Sequence, residues 1–302
     1  KTLPNGLKIV VWPDKDIPNV AMFTFYRVGS RNERPGITGI SHFFEHMMFN
    51  GSANVPPKQY DVQLESQGAY SNAFTSYDQT AYYEEGGSAS LETMMRLDAD
   101  RMRSLSLLPD LLKSEVEVVR EERRFRTDNS VPGMLDEALY STAFVASPYH
   151  WPVVGWMKDL ERITRDEMVE YFRTYYAPNN CTIVVSGDFD PAWVKAKLRE
   201  YFGDIPPGPP IPKHRVWIAK RTGSHRATLE DRVPQARLYK VWNIPPQFDA
   251  DYERLALVAS ILGDGKTSRL YKRLVYTDQL AADVSSNIDA REIGSQFYVT
   301  AT

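Results

Sequence analysis

Short apolar runs, separated by Gly, Asn and Pro, divide this chain into predicted strands and helices. The segments 6–12 (GLKIVVW), 19–28 (NVAMFTFYRV) and 180–189 are predicted to be strands. The stretch 69–87, rich in Tyr, Thr and Phe, indicates a further pair of strands. The remaining ordered segments are predicted to be helices, at 36–51, 57–67, 89–105, 109–126, 132–145, 164–175 and 191–202.

A proline-rich stretch predicts a domain boundary. Residues 203–212 read GDIPPGPPIP, which can continue neither a helix nor a central strand. After it, the strand-like segment 236–245 precedes the helix-like segment 252–265, which repeats the order seen near Lys1. We therefore expect an α+β protein with two similar domains, each a mostly antiparallel sheet packed with helices. The expected boundaries are a first, metal-binding domain at 1–205, a Pro-rich linker at 206–212, and the start of a second, similar domain without a metal site at 213–302, which we expect to be incomplete.

Composition and charge narrow the classes of function. The chain has 302 residues, of which 42% are hydrophobic, so it can bury a substantial core. Its 36 basic and 39 acidic residues nearly balance, which gives no electrostatic footprint for nucleic acid. No apolar run approaches the roughly 18–20 residues that a membrane span requires. The single cysteine excludes an internal disulfide and a cysteine-based metal site.

The segment SHFFEHMMFN, residues 41–50, places three titratable side chains inside an apolar helix. His42 and His46 are four residues apart, so on a helix both imidazoles project from one face and can bind one metal ion. Glu45 lies beside the same face. A buried, uncompensated carboxylate costs several kcal/mol, and a bound cation would compensate it. A single histidine here would be read as a core residue, but the two histidines and the glutamate together favour a metal site.

A catalytic zinc site requires a third protein ligand, and the acidic segment 111–125 offers candidates. Helical periodicity places two of its glutamates, Glu115 and Glu122, on the apolar face. They are seven residues apart, roughly 10 Å along the axis, so both can hardly bind the same ion. Periodicity alone does not decide between them. The predicted inward face spans about 140° of arc and consists of Leu111, Leu112, Glu115, Val118, Val119, Glu122 and Phe125.

The order His42-x-x-Glu45-His46 is the inverted zinc motif, the reverse of H-E-x-x-H. With the acidic helix about 75 residues further on, the chain resembles the pitrilysin/insulinase family of zinc metallopeptidases, which includes mitochondrial processing peptidase. The resemblance extends over nearly the whole chain through the segments LPNGLKIVV, NAFTSYDQTAYY and YYAPNNCTIVVSGDFDP. It implies that Glu122 is the third zinc ligand and that Glu115 is the supporting acid.

The resemblance also implies a mechanism. A Zn²⁺ held by His42, His46 and Glu122 would activate a water molecule, and Glu45 would act as general base. The substrate would be an extended or unfolded peptide that pairs with an edge strand. Family resemblance places that edge at SNAFTS, so Asn72 and Ala73 are the candidates for substrate contact, although Asn72 could equally be an ordinary hairpin residue.

One departure from the family pattern predicts a partner. Single-chain and homodimeric relatives carry an Arg and, seven residues later, a Tyr that help to hold the substrate carbonyl. The matching segment, RLVYTDQLAADV, has Val275 and Ala282 at these positions. We therefore expect a heterodimer, similar to bacterial two-subunit relatives, in which a homologous partner subunit supplies the Arg/Tyr clamp.

Two other functions compete with a zinc endopeptidase. One is a non-catalytic scaffold or assembly subunit of the same family, which the intact set of candidate catalytic residues argues against. The other is a different zinc hydrolase on this fold. Because exported relatives are common among the bacterial proteins that these segments resemble, we expect a periplasmic location.

Overall fold

The computed structural model of the protein describes residues 1–211, 213 and 223–302. Pro212 of the predicted linker and residues 214–222 of the predicted second domain lie outside the described residues. Contacts divide the chain into two units. The first unit contains Lys1–Ser130 and Trp151–Ile211. The second contains Val131–His150 and the described residues after Ile211, which are 213 and 223–302.

This division differs from the predicted boundaries mainly in residues 131–150, and it also includes residues 206–211 of the predicted linker in the first unit. The prediction placed this segment in the first domain because it precedes the proline-rich stretch. In the structure its aromatic side chains surround Arg291, whose guanidinium carbon lies 4.7 Å from the ring centre of Tyr140 and 5.0 Å from that of Tyr149. The Tyr149 hydroxyl also accepts a hydrogen bond from the Ile293 backbone N–H at 3.0 Å. These long-range contacts hold the segment in the second unit.

The first unit contains a five-stranded sheet in the order β1-β5-β2-β4-β3. Only β1 and β5 pair in parallel among these neighbours, and the other pairs are antiparallel. Strand β3 therefore forms one edge of the sheet and is hydrogen-bonded on one side, to β4. The strands are β1 (Lys8–Pro13), β2 (Asn19–Tyr26), β3 (Tyr70–Thr75), β4 (Thr80–Gly87) and β5 (Cys181–Gly187).

The sheet buries one face, as the alternation of side chains in β2 shows. Val20, Met22 and Tyr26 are buried in the core, whereas Phe23 on the opposite face is only partly buried and stacks on Tyr83 of β4. Successive side chains of a strand point to opposite faces of the sheet, and helices pack against the face that is buried. The described helices of both units are α1 (Ile40–Met47), α2 (Gln59–Glu65), α3 (Leu91–Ser104), α4 (Pro109–Arg123), α5 (Val131–Ala143), α6 (Met157–Leu160), α7 (Arg165–Tyr175), α8 (Pro191–Phe202), α9 (Ala250–Gly263) and α10 (Arg269–Tyr271).

Helix α1 is anchored through its apolar side. Phe44 is fully buried, and its ring packs against Tyr171 and Phe172 of α7 at centroid distances of 6.0 and 5.8 Å. The Tyr82 hydroxyl of β4 donates a hydrogen bond to the Phe44 carbonyl oxygen at 3.2 Å. Because the sheet and α7 hold α1 in this way, the rotation of α1 about its axis is fixed. This rotation sets the direction in which His42 and His46 project.

The second unit contains an antiparallel three-stranded sheet in the order β6-β8-β7, with α9 packed against it. The strands are β6 (Leu238–Ile244), β7 (Val284–Asp289) and β8 (Ser295–Ala301). The predicted strand at 236–245 corresponds to β6, whereas hydrophobic patterning does not predict β7. The reason is that Ser286, which is 6% exposed, occupies an inward position where the pattern expects an apolar residue.

The structure confirms the predicted α+β class, with two units that each combine a mostly antiparallel sheet with helices. The proline-rich segment up to Ile211 contains no helix or strand. None of the helices in the described part of the chain has the length and apolar composition needed to cross a bilayer.

Candidate metal centre

Helix α1 places two imidazoles side by side. His42 and His46 lie one turn apart, with a centroid distance of 4.9 Å and an interplanar angle of 74°. His42 is 7% exposed, and His46 is partly buried. The spacing of four residues therefore produces the shared helix face that the sequence predicted.

Helix α4 brings a carboxylate to this pair. The Glu122 Oε2 atom lies 3.2 Å from His46 Nε2 and 3.6 Å from His42 Nε2. Ligand atoms of these three residues all lie within 4.8 Å of one another. Two imidazole nitrogens and one carboxylate oxygen form a donor set that suits zinc and leaves a further coordination position available.

Glu115, about two turns before Glu122 on α4, contacts His46 at its other ring nitrogen. Its Oε1 atom lies 2.9 Å from His46 Nδ1, and its Oε2 atom accepts a hydrogen bond from the Asn50 side chain at 2.7 Å. A carboxylate at Nδ1 orients the ring and leaves Nε2 directed towards Glu122. The two glutamates, seven residues apart on α4, therefore make different contacts. Glu122 lies beside the Nε2 atoms of both histidines, and Glu115 lies beside Nδ1 of His46.

The inward face of α4 is narrower than predicted. Val118 and Phe125, which were expected to point inward, are 48% and 81% exposed, whereas Leu112 and Val119 are buried. Val118 and Phe125 lie at the edge of the predicted arc that is farthest from Leu112 and Val119. The packed face of α4 is therefore centred closer to Leu112 and Val119, and it still includes Glu115 and Glu122.

The two histidines have opposite electrostatic environments. Burial lowers the pKa of His42 to about 4, and the neighbouring His46 adds to this effect. Burial also opposes protonation of His46, but hydrogen bonds and charges of Glu115 and Glu122 outweigh it and raise the pKa of His46 to about 9. The two carboxylates therefore favour the protonated form of His46. Protonation of His46 competes with metal binding, because an imidazole coordinates through a neutral nitrogen.

Glu45 lies beside the metal-binding face in a partly buried position. Burial raises the pKa of its carboxyl group, and the Thr75 hydroxyl on β3 partly offsets this rise. No described residue donates a hydrogen bond to its buried Oε2 atom. A carboxylate with a raised pKa and an uncommitted oxygen has the properties of a general base.

Two polar neighbours of the site were not predicted from the sequence. Asn50, at the end of the predicted helix 36–51, donates a hydrogen bond to Glu115. Arg126 forms an ion pair with Glu122 Oε1 at 3.0 Å, so the two oxygens of Glu122 have separate partners. The four-residue spacing of Glu122 and Arg126 is a recognisable signal for this ion pair.

Asn72 and Ala73 are not among the clustered donors, and both lie on the edge strand β3. The Ala73 backbone N–H donates to the Asn72 side-chain oxygen at 2.8 Å, so it is not engaged in the ladder with β4. Thr75, further along the same strand, lies close enough to Glu45 to influence its pKa. The edge strand therefore passes beside the candidate base.

Residues 10–155 match the family model described as "Insulinase (Peptidase family M16)", and residues 162–302 match the one described as "Peptidase M16 inactive domain". The two matches together define a two-domain member of a peptidase class. A crystal structure of a protease from Helicobacter pylori superposes with a TM-score of 0.93 at 33% identity, covering 100% of this chain and 73% of that one. The chain belongs to peptidase family M16.

Similar sequences carry related names. The protein named "Zinc protease PqqE" from Helicobacter pylori is 34% identical over 290 residues, which cover 95% of this chain and 65% of that protein. A probable mitochondrial-processing peptidase subunit beta from Arabidopsis thaliana is 27% identical over 273 residues, 87% of this chain and 50% of that one. The fold also matches the periplasmic protease PqqL from Escherichia coli, with a TM-score of 0.79 at 20% identity, over 100% of this chain and 35% of that one. The chain spans about 65% of the length of the bacterial zinc proteases that it matches.

Proposed function

We propose that this chain is the zinc-bearing subunit of an endopeptidase that hydrolyses extended or unfolded peptides. The observation that carries the proposal is the position of Glu122 Oε2, 3.2 and 3.6 Å from the two imidazole nitrogens of the inverted motif, with Glu45 beside them. Family membership supports the same activity, because relatives in the family are named zinc proteases.

Each residue of the centre has a distinct proposed role. His42, His46 and Glu122 hold the zinc ion, and Glu115 orients His46 through Nδ1. A bound zinc supplies Lewis acidity, which activates water and polarises a carbonyl group. Glu45 accepts the proton of the attacking water and returns it to the nitrogen of the leaving amine. The raised pKa of Glu45 suits both the uptake and the release of this proton, because the carboxyl group must pass through its protonated form.

The substrate is proposed to bind as an additional strand beside β3. Main-chain pairing holds peptides of many sequences, which suits an enzyme for unfolded substrates. Ala73 presents an N–H that is outside the β4 ladder, and the Asn72 side chain at present occupies it. A substrate carbonyl oxygen could accept this N–H in place of the Asn72 side chain. The peptide would then pair with β3, the strand that continues to Thr75 beside Glu45.

Replacing Ala73 with Pro is expected to raise KM for an extended peptide about five- to tenfold, because one main-chain hydrogen bond contributes roughly 1 kcal/mol. Proline is tolerated on an edge strand where its missing N–H faces away from the sheet. Steady-state kinetics on a fluorogenic peptide measures the change, and Ala73→Ser, which keeps the N–H, is the matched control. An unchanged KM in Ala73→Pro would rule out pairing at this residue.

A homologous partner subunit is proposed to complete the enzyme. Val275 and Ala282 occupy the positions at which the family resemblance implies the Arg and Tyr of the substrate clamp. Val275 lies in the helical turn Lys272–Thr277, and Ala282 is exposed in the segment before β7. A relative named as a processing peptidase subunit supports a two-subunit arrangement.

Isolation of the native complex through a tag on this chain tests function and partner together. We expect a copurifying homologous subunit that carries the Arg/Tyr pair, one zinc ion in this chain, and cleavage of unstructured peptides by the complex but little by this chain alone. Small ester and amide substrates in the same assay distinguish a peptidase from another zinc hydrolase. A homodimer that is fully active alone would contradict the partner proposal.

The second candidate function is a non-catalytic assembly subunit. It is favoured by the match of residues 162–302 to a domain described as inactive. That match begins after Glu122, however, and all candidate metal residues lie within the segment 10–155 that matches the peptidase domain. A complex that assembles, retains zinc and cleaves no peptide would establish the assembly role instead.

A periplasmic location is proposed for the protein because a structural relative, PqqL from Escherichia coli, is named as a periplasmic protease. Fractionation of the native cells tests the location, and recovery of the protein in the cytoplasmic fraction would reject it.

A further inference from the structure

A buried carboxylate contacts the first turn of the metal-binding helix α1. Glu33 is 6% exposed, and its two oxygens accept backbone hydrogen bonds from Gly39, at 2.8 Å to Oε2, and from Ser41, at 2.9 Å to Oε1. The first N–H groups of a helix lack helical partners, and the two oxygens of Glu33 supply acceptors for two N–H groups at this end of α1. Burial raises the pKa of Glu33 to about 8, whereas the two amide hydrogen bonds favour the ionised form.

The N-cap residue of α1 cannot provide this contact itself. It is Gly39, with a φ of +90°, and no side chain caps the helix from this position. A Cβ atom here would lie 2.5 Å from the Val154 carbonyl oxygen, so the Ser, Thr or Asp that usually caps a helix does not fit. The close approach of the chain at Val154 therefore requires a capping group from elsewhere, and Glu33, six residues earlier, is that group.

The two histidines of α1 differ in what orients their rings. His46 is oriented through Nδ1 by Glu115, whereas no described residue forms a hydrogen bond with Nδ1 of His42. The direction of the His42 ring consequently depends on the position of its backbone. The preceding residue, Ser41, is held through its N–H by Glu33 and through its hydroxyl by Tyr171 at 2.8 Å.

We propose that Glu33 is a positioning residue for the metal centre, which orients His42 by fixing the first turn of helix α1. The role rests on the proposed zinc site and extends it to a residue that contacts none of the three ligands. Glu33 acts on His42 in the way that Glu115 acts on His46, but through the backbone rather than through the ring.

Zinc affinity, measured by competition with a chelator, and the Tm of the metal-free protein together test this role. Loss of a group that orients a ligand typically weakens metal binding 10–100-fold, and we expect this range for Glu33→Ala. Glu33→Gln retains one acceptor oxygen and is expected to show a smaller loss. The control is Asp190→Ala, which removes the carboxylate that caps helix α8 by accepting the Trp193 N–H at 2.7 Å. It is expected to lower Tm and leave zinc affinity unchanged.

The possible outcomes separate this proposal from the proposed function. Wild-type zinc affinity in Glu33→Ala, or an equal loss of affinity in Asp190→Ala, would overturn the positioning role and leave the zinc site standing. A wild-type protein that binds no zinc would refute the metal centre itself. If Glu33→Ala does not fold, Glu33→Gln decides, since unchanged affinity in this near-isosteric variant would equally overturn the proposal.

Discussion

Replacing Glu45 with Gln is expected to reduce kcat for peptide cleavage by about 10²–10⁴-fold, the range that a general base contributes. The amide has nearly the same shape as the carboxylate but cannot accept the proton of the attacking water. Glu45 lies outside the cluster formed by His42, His46 and Glu122, so zinc content is expected to remain at one ion per chain. Elemental analysis and cleavage kinetics on the same preparation measure both quantities.

The matched control is Glu65→Gln, which makes the same change at an exposed position in helix α2. It is expected to leave both kcat and zinc content at their wild-type values. Retained zinc with lost cleavage in Glu45→Gln alone would support the general-base role. Cleavage at the wild-type rate in Glu45→Gln would remove this residue from the mechanism, even if the zinc site were correct.

Replacing Glu122 with Gln is expected to weaken zinc binding more than about 100-fold. Loss of a group that only orients a ligand typically costs 10–100-fold, and loss of a ligand itself exceeds this. The variant also leaves His42 and His46 without the carboxylate that lies 3.6 and 3.2 Å from their Nε2 atoms. Peptide cleavage is expected to fall with the zinc content, and titration with a competing chelator measures the affinity.

Neighbouring glutamates on helix α4 provide a graded series. Glu121→Gln changes an exposed residue that pairs with Arg124, and it is expected to leave zinc affinity unchanged. Glu115→Gln removes the negative charge beside His46 Nδ1 and is expected to weaken binding about 10–100-fold. If Glu115→Gln weakened binding more than Glu122→Gln, the proposed roles of ligand and supporting acid would be reversed.

Much of the fold could be predicted because the relevant information is local. The strand pattern of 19–28 and the helix pattern of 109–126 correspond to β2 and α4, since side-chain periodicity depends only on backbone geometry. Periodicity did not predict β7, where Ser286 interrupts the alternation of apolar residues. It also gave no indication that β1 pairs in parallel with β5, because these strands are far apart in sequence. Periodicity determines which way a side chain points but not which distant element it meets.

The same distinction between local geometry and long-range packing applies to the candidate site. The sequence by itself determined that His42 and His46 share one helix face and that Glu115 and Glu122 share another, because each pair lies within a single helix whose geometry is regular. Only the tertiary structure decided which glutamate lies between the two imidazoles and which contacts Nδ1 of His46. It also decided that residues 131–150 belong to the second unit, where aromatic rings surround Arg291. These arrangements depend on how separate elements pack, and packing is set by contacts between residues that are distant in the chain.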